Sequence, residues 1–96
     1  MVKYTVKEHK LEDVTKAVRR FVAAVKELEP ETLFYEAFQQ SNACAFTHFM
    51  CFMDRKAEDK HASSPHAEKF VNALYPACEK EPEFIDLRPV KTGNKS

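Results

Sequence analysis

The sequence has no excess of charge, no long apolar run, no tryptophan and only three cysteines among 96 residues, and these shortages narrow what the chain can be. Fifteen Lys and Arg balance fifteen Asp and Glu, so no net field draws the chain to nucleic acid or to an anionic membrane. No stretch approaches the roughly 18 apolar residues of a membrane span. The opening MVKYTVKEHK is charged every few residues and lacks the apolar core and small-residue cleavage site of a secretory signal. These readings place the chain in the cytoplasm, with neither nucleic acid nor membrane as a partner. Cys44, Cys51 and Cys78 make an odd number without a CxxC pair, which argues against a disulfide framework or a zinc ribbon. Cys51 and Cys78 fall inside apolar patterns and read as small hydrophobes.

What is there describes one domain over residues 1–90, followed by a polar tail, KTGNKS, at 91–96 that is predicted to be disordered. A chain this short buries only about two thirds of its unfolded surface, so a partner subunit would help it. VKYTVKEH alternates Val2, Tyr4 and Val6 against Lys3, Thr5 and Lys7, the period of a strand with one buried face. From Leu11 to Glu29, Val14, Val18, Phe21, Val25 and Leu28 recur at steps of four and three, which predicts an amphipathic helix closed by Pro30.

TLFYEAFQQ and CAFTHFMCFM follow as two strands joined by the polar turn QSNA. The first sets Leu33, Tyr35 and Ala37 against Phe34 and Phe38. The second sets Phe46, His48, Met50 and Phe52 against Thr47, Phe49, Cys51 and Met53. Both strands are apolar on both faces and need a cover on each. Helices over Arg55–His61 and from Ser64 to about Lys80, the latter with a Phe70, Leu74 and Ala77 stripe, cover one face together with the first helix. A second molecule must cover the other. EFIDLRPV is predicted as the last strand. The order is βαββαβ, a ferredoxin-like α+β fold with a four-stranded antiparallel sheet and helices on one face. The polar Lys3, Thr5 and Lys7 face sits oddly on a strand that this topology makes central.

LEPETLFYEAFQQ and FMDRKAEDKHASSPHAEKF, in a chain of this length and order, resemble the antibiotic-biosynthesis-monooxygenase-like family of dimeric α+β barrels. The positions that carry the resemblance are Glu29 and Pro30 before the second strand, His61 at the end of a short helix, and Ser64, Pro65 and His66 at the start of the next. The resemblance implies a homodimer whose sheets pair face to face. It also implies a cofactor-independent oxygenase of quinols or hydroxylated aromatics, with a phosphorylated-dione isomerase and a non-catalytic barrel as alternatives. Glu31 stands where the family commonly has glycine, and Met50 and Phe52 where it commonly has an acidic residue and tryptophan. Val71 occupies the histidine position of the haem-degrading branch, which disfavours that chemistry.

Ser64 suits an N-cap and Pro65 the first helical position, so SSPHAE reads first as a helix start. His66 precedes Phe70 by four residues and Leu74 by eight, which turns its ring toward the sheet. The exposed N–H groups of a helix start disfavour added positive charge, which suits a proton acceptor. His66, His61 and His48 are therefore the candidate catalytic residues, with a base drawn from His66 or His61. Two placements are open for His48: the same cleft, or the dimer barrel as an interface residue, the second set ahead. Tyr4, Tyr35, Phe46, Phe52, Phe70 and Leu74 are the candidate walls of a substrate pocket. No metal site is assigned, because His61 and His66 lie five apart across a proline, unlike the i, i+4 pairs of helical ligands. No cofactor is expected. Lys3, Lys7 and Arg88 are the cations that an isomerase could use for a phosphate.

Overall fold

A computed structural model describes residues 1–90; the predicted tail lies outside the described residues. The elements are β1 (Val2–Thr5), α1 (Leu11–Leu28), β2 (Thr32–Gln39), β3 (Ala45–Phe52), α2 (Arg55–Ala62), α3 (Pro65–Leu74) and β4 (Glu83–Phe84). The sheet is antiparallel in the order β2-β3-β1-β4, with β1 central. This is the expected ferredoxin-like arrangement. The helices pack on one face, and the core between the layers gathers Tyr4, Val6, Val14, Val18, Phe21, Val25, Tyr35, Phe46, Phe70 and Leu74. Phe21 of α1 stacks on Phe70 of α3, with ring centroids 4.6 Å apart.

Register pairs Val2 with His48, Tyr4 with Phe46, Tyr35 with Met50 and Ala37 with His48, and the buried members of this set mark the helix-facing side. His48 is therefore inside the protomer, 1% exposed, and the placement of His48 in a dimer barrel is corrected. On the opposite side, Phe34 and Phe38 of β2 and Cys51 of β3 are exposed and Phe49 is half-buried. Cys51 is thus no core residue, whereas Cys78 is buried. Lys3 shares this outer side with the apolar patch, so the polar half of β1 borders the surface that the protomer leaves uncovered.

Four further expectations are corrected. Leu33 does not share the Tyr35 face: an irregularity between Thr32 and Phe34 adds a residue to β2, leaving Leu33 60% exposed. Such a bulge re-aims its neighbour, and Thr32, paired with Phe52, is brought to the helix side. Leu28, at the last turn of α1, is exposed although it continues the apolar stripe. The last helix ends at Leu74 and not near Lys80, because Pro76 has no N–H to continue the ladder, and the chain tightens into a 3₁₀ turn over Tyr75–Ala77. β4 is two residues long, extended by a bond from the Ile85 N–H to the Met1 carbonyl, and Phe84 and Leu87 stay exposed. Among the described residues no helix is long and apolar enough to cross a membrane.

Candidate functional site

Glu29 follows the last residue of α1, where its N–H still bonds the Val25 carbonyl while Pro30 prevents another turn. Its side chain turns inward and is 11% exposed. Three donors converge on it. Thr32 Oγ1 donates to Oε1 at 2.6 Å, the hydroxyl having been brought round by the bulge. His61 Nδ1 lies 2.9 Å from Oε1 and 3.1 Å from Oε2, and His66 Nε2 bonds Oε2 closely. A carboxylate only accepts, so each contacting ring nitrogen donates. Burial alone would raise the Glu29 carboxyl. The bonds from Thr32, His66 and His61, with the electrostatic attraction of His61, outweigh it and hold the group below its ordinary value.

The histidines reach Glu29 through their helix ends. Asp54 caps α2 by accepting from the Ala57 N–H at 2.8 Å, and His61 sits in the last turn of that helix. Ser64 caps α3 by accepting from the Ala67 N–H, with Pro65 at the first position, as the sequence predicts. Its hydroxyl also donates to the His61 carbonyl at 2.8 Å, which ties the two helix ends together. His61 and His66 are thus brought onto one carboxylate, Glu29, to which the sequence alone assigns no chemical role. The signal was the Glu-Pro at the helix end.

Beside this cluster, a cavity of about 310 Å³ lies between sheet and helices, lined among others by Phe21, Tyr35, His48, Phe52, His61 and Phe70. Of the predicted residues, Tyr35, His48, Phe52, His61, Phe70 and Leu74 border it, whereas Tyr4, Phe46 and His66 do not. Tyr4 and Phe46 stack on each other at 5.3 Å and border a separate hollow with Lys3 and Lys80. His66 faces an outer groove with Glu29, Lys60 and Lys69. With Nδ1 given to Glu29, His61 Nε2 has no hydrogen-bond partner among the described residues, yet no buried side-chain nitrogen there is unpaired. That atom is therefore accessible. Behind it, His48 lies between two phenols, Nε2 at 2.7 Å from the Tyr4 hydroxyl and Nδ1 at 2.8 Å from that of Tyr35. Burial pushes the His48 imidazole down to about 4, which leaves it neutral at physiological pH.

Fold and site together define a small ferredoxin-like protein with a carboxylate-anchored imidazole beside an apolar cavity. The sequence profile of the antibiotic biosynthesis monooxygenases matches residues 1–73, and the chain belongs to that family. Among solved structures, a provisionally assigned antibiotic biosynthesis monooxygenase of Bacteroides thetaiotaomicron is 21% identical, with a TM-score of 0.86 over 99% of this chain and 90% of its own. One from Caulobacter crescentus, also provisional, is 19% identical, with a TM-score of 0.85 over 94% and 86%. A Mycobacterium tuberculosis protein is 17% identical, with a TM-score of 0.72 over 96% and 93%. At these identities the likeness carries the fold. No curated protein matches the sequence.

Proposed function

We propose that the chain is a cofactor-independent monooxygenase of a small quinol or hydroxylated aromatic, with His61 as the base. The observation that carries this reading is the position of His61: Nδ1 is held by Glu29 at 2.9 Å while the ring lines the apolar cavity. The carboxylate fixes the tautomer that leaves Nε2 as the proton acceptor, the arrangement general-base catalysis requires. Nε2 takes a hydroxyl proton from the bound quinol. The resulting anion, held among Phe21, Phe52 and Phe70, is electron-rich enough to pass one electron to dioxygen. Radical and superoxide combine at a ring carbon, and the peroxide that forms loses water as the proton returns from His61. The balance is quinol plus dioxygen giving hydroxyquinone plus water, with both electrons supplied by the substrate, so the reaction calls for no flavin or metal.

His66 is a positioning residue in this scheme, since it touches the shared carboxylate and not the cavity. The isomerase alternative would need cations at the cavity, and Lys3, Lys7 and Arg88 do not border it. The exposed Phe34, Phe38 and Cys51 surface supports a homodimer closed sheet to sheet. Oxygen uptake against a quinol panel tests the reading. His61→Ala should lose about 10²- to 10⁴-fold, the usual contribution of general-base catalysis, and His66→Ala less. A folded His61→Ala variant at the wild-type rate removes His61 as the base. A wild type inactive on every quinol replaces the enzyme with a non-catalytic binding barrel.

A further inference from the structure

Tyr4, His48 and Tyr35 form a buried series whose proton order is decided by its two ends. The contacts are 2.7 Å from the Tyr4 hydroxyl to Nε2 and 2.8 Å from the Tyr35 hydroxyl to Nδ1. A neutral imidazole offers one N–H and one lone pair, and each phenol one O–H, so one hydroxyl hydrogen of the series is left over. In one order Tyr4 donates to Nε2, Nδ1–H donates to the Tyr35 oxygen, and the Tyr35 hydrogen is free. In the reverse order the Tyr4 hydrogen is free.

The two ends are not equivalent. Both phenols are 5% exposed, but Tyr4 packs on Phe46, borders the hollow beside Lys3 and Lys80 and no part of the cavity, and has no other hydrogen-bond partner among the described residues. A free donor at Tyr4 would meet no ligand oxygen in the cavity, and a buried donor left without a partner is costly. Tyr35 borders the cavity beside His61, with ring centroids 5.5 Å apart. Its hydrogen can be satisfied by whatever fills that space. Burial, and then the charge of Glu29, raise the Tyr35 phenol above its ordinary value, so it keeps its proton. Hydrogen bonds in series also polarise one another.

We infer that the series runs from Tyr4 through His48 to Tyr35, and that Tyr35 presents its hydroxyl hydrogen to a carbonyl or phenolate oxygen of a flat aromatic ligand in the cavity. This rests on the reading that the cavity is the substrate site. Tyr35 then selects oxygen-bearing rings over hydrocarbons of the same shape, from a position adjacent to the proposed base. Tyr4 is a positioning residue that acts through the His48 tautomer.

Two measurements test the inference. Nitrogen NMR of the ligand-free wild-type imidazole should find the His48 proton on Nδ1 and the lone pair on Nε2; the opposite tautomer overturns the order. NMR titration should show naphthoquinone binding more tightly than naphthalene, with Tyr35→Phe weakening the quinone about tenfold, as expected for one lost hydrogen bond, and leaving naphthalene unchanged. Equal losses for both ligands, no loss for the quinone, or no wild-type preference for it overturn the donor role. If Tyr35→Phe does not fold, the tautomer and the wild-type preference still decide. Tyr35-dependent quinone affinity in a protein that consumes no oxygen removes the monooxygenase reading and keeps this one. His61-dependent oxygen uptake with Tyr35-independent affinity does the reverse.

Discussion

Glu29→Gln keeps the shape of the side chain at the centre of the site and removes its charge. The wild-type carboxylate accepts from Thr32 at 2.6 Å, from His61 at 2.9 and 3.1 Å, and from His66, while only 11% exposed. Hydrogen bonds to a charged group contribute about 1.5–3 kcal/mol against about 0.5–1.5 for neutral ones, so the three donors together lose about 3 kcal/mol. Relief of the carboxylate's desolvation returns part of this, for a net loss of about 2 kcal/mol at neutral pH. In a chain of this length that lowers Tm by about 8–16 °C. The sign with pH follows from the depressed folded-state value of Glu29. Its contribution is complete above the unfolded-chain value of about 4.3 and is lost as pH falls through the lower folded value. Wild type and variant should therefore converge in acid. Parallel thermal melts followed by circular dichroism at neutral pH and at about pH 2 measure both quantities. Equal stability at neutral pH, or a gap that persists undiminished in acid, refutes the argument.

Light scattering at micromolar concentration should give twice the 11.1 kDa chain mass, and Phe38→Glu, on the uncovered face, should give a folded monomer; a monomeric wild type sinks the barrel. Phe70→Ala removes a ring that is 8% exposed and stacked on Phe21, and urea unfolding should register a loss of about 3–5 kcal/mol. Cys51 is exposed on the protomer's outer face and Cys78 buried. A thiol reagent should label Cys51 more slowly in wild type than in Phe38→Glu, and equal rates would mean that this face is not covered in solution.

The βαββαβ order, the helical stripe of α1 and the Ser64-Pro65 cap were legible because each is a local pattern: period two, period four and three, and a capping pair at fixed spacing. For His66 the same spacing to Phe70 predicts a ring turned toward the sheet; the ring meets Glu29 but borders the outer groove and not the cavity. The meeting of His61 and His66 on Glu29 was not legible, since those contacts span 32 and 37 residues and depend on how the end of α1 is set against α2 and α3. Thr32 faces Glu29 only because a bulge in β2 breaks strict alternation, and the same bulge expels Leu33. The side on which His48 lies was undecidable from a strand apolar on both faces, because alternation divides residues into two sets without saying which one meets the helices. Burial of Tyr4 and Tyr35 on either side of that ring decided it. Sequence by itself determined the order of strands and helices, though not where α3 and β4 end; long-range packing alone decided which carboxylate holds the base and which phenol reaches the cavity.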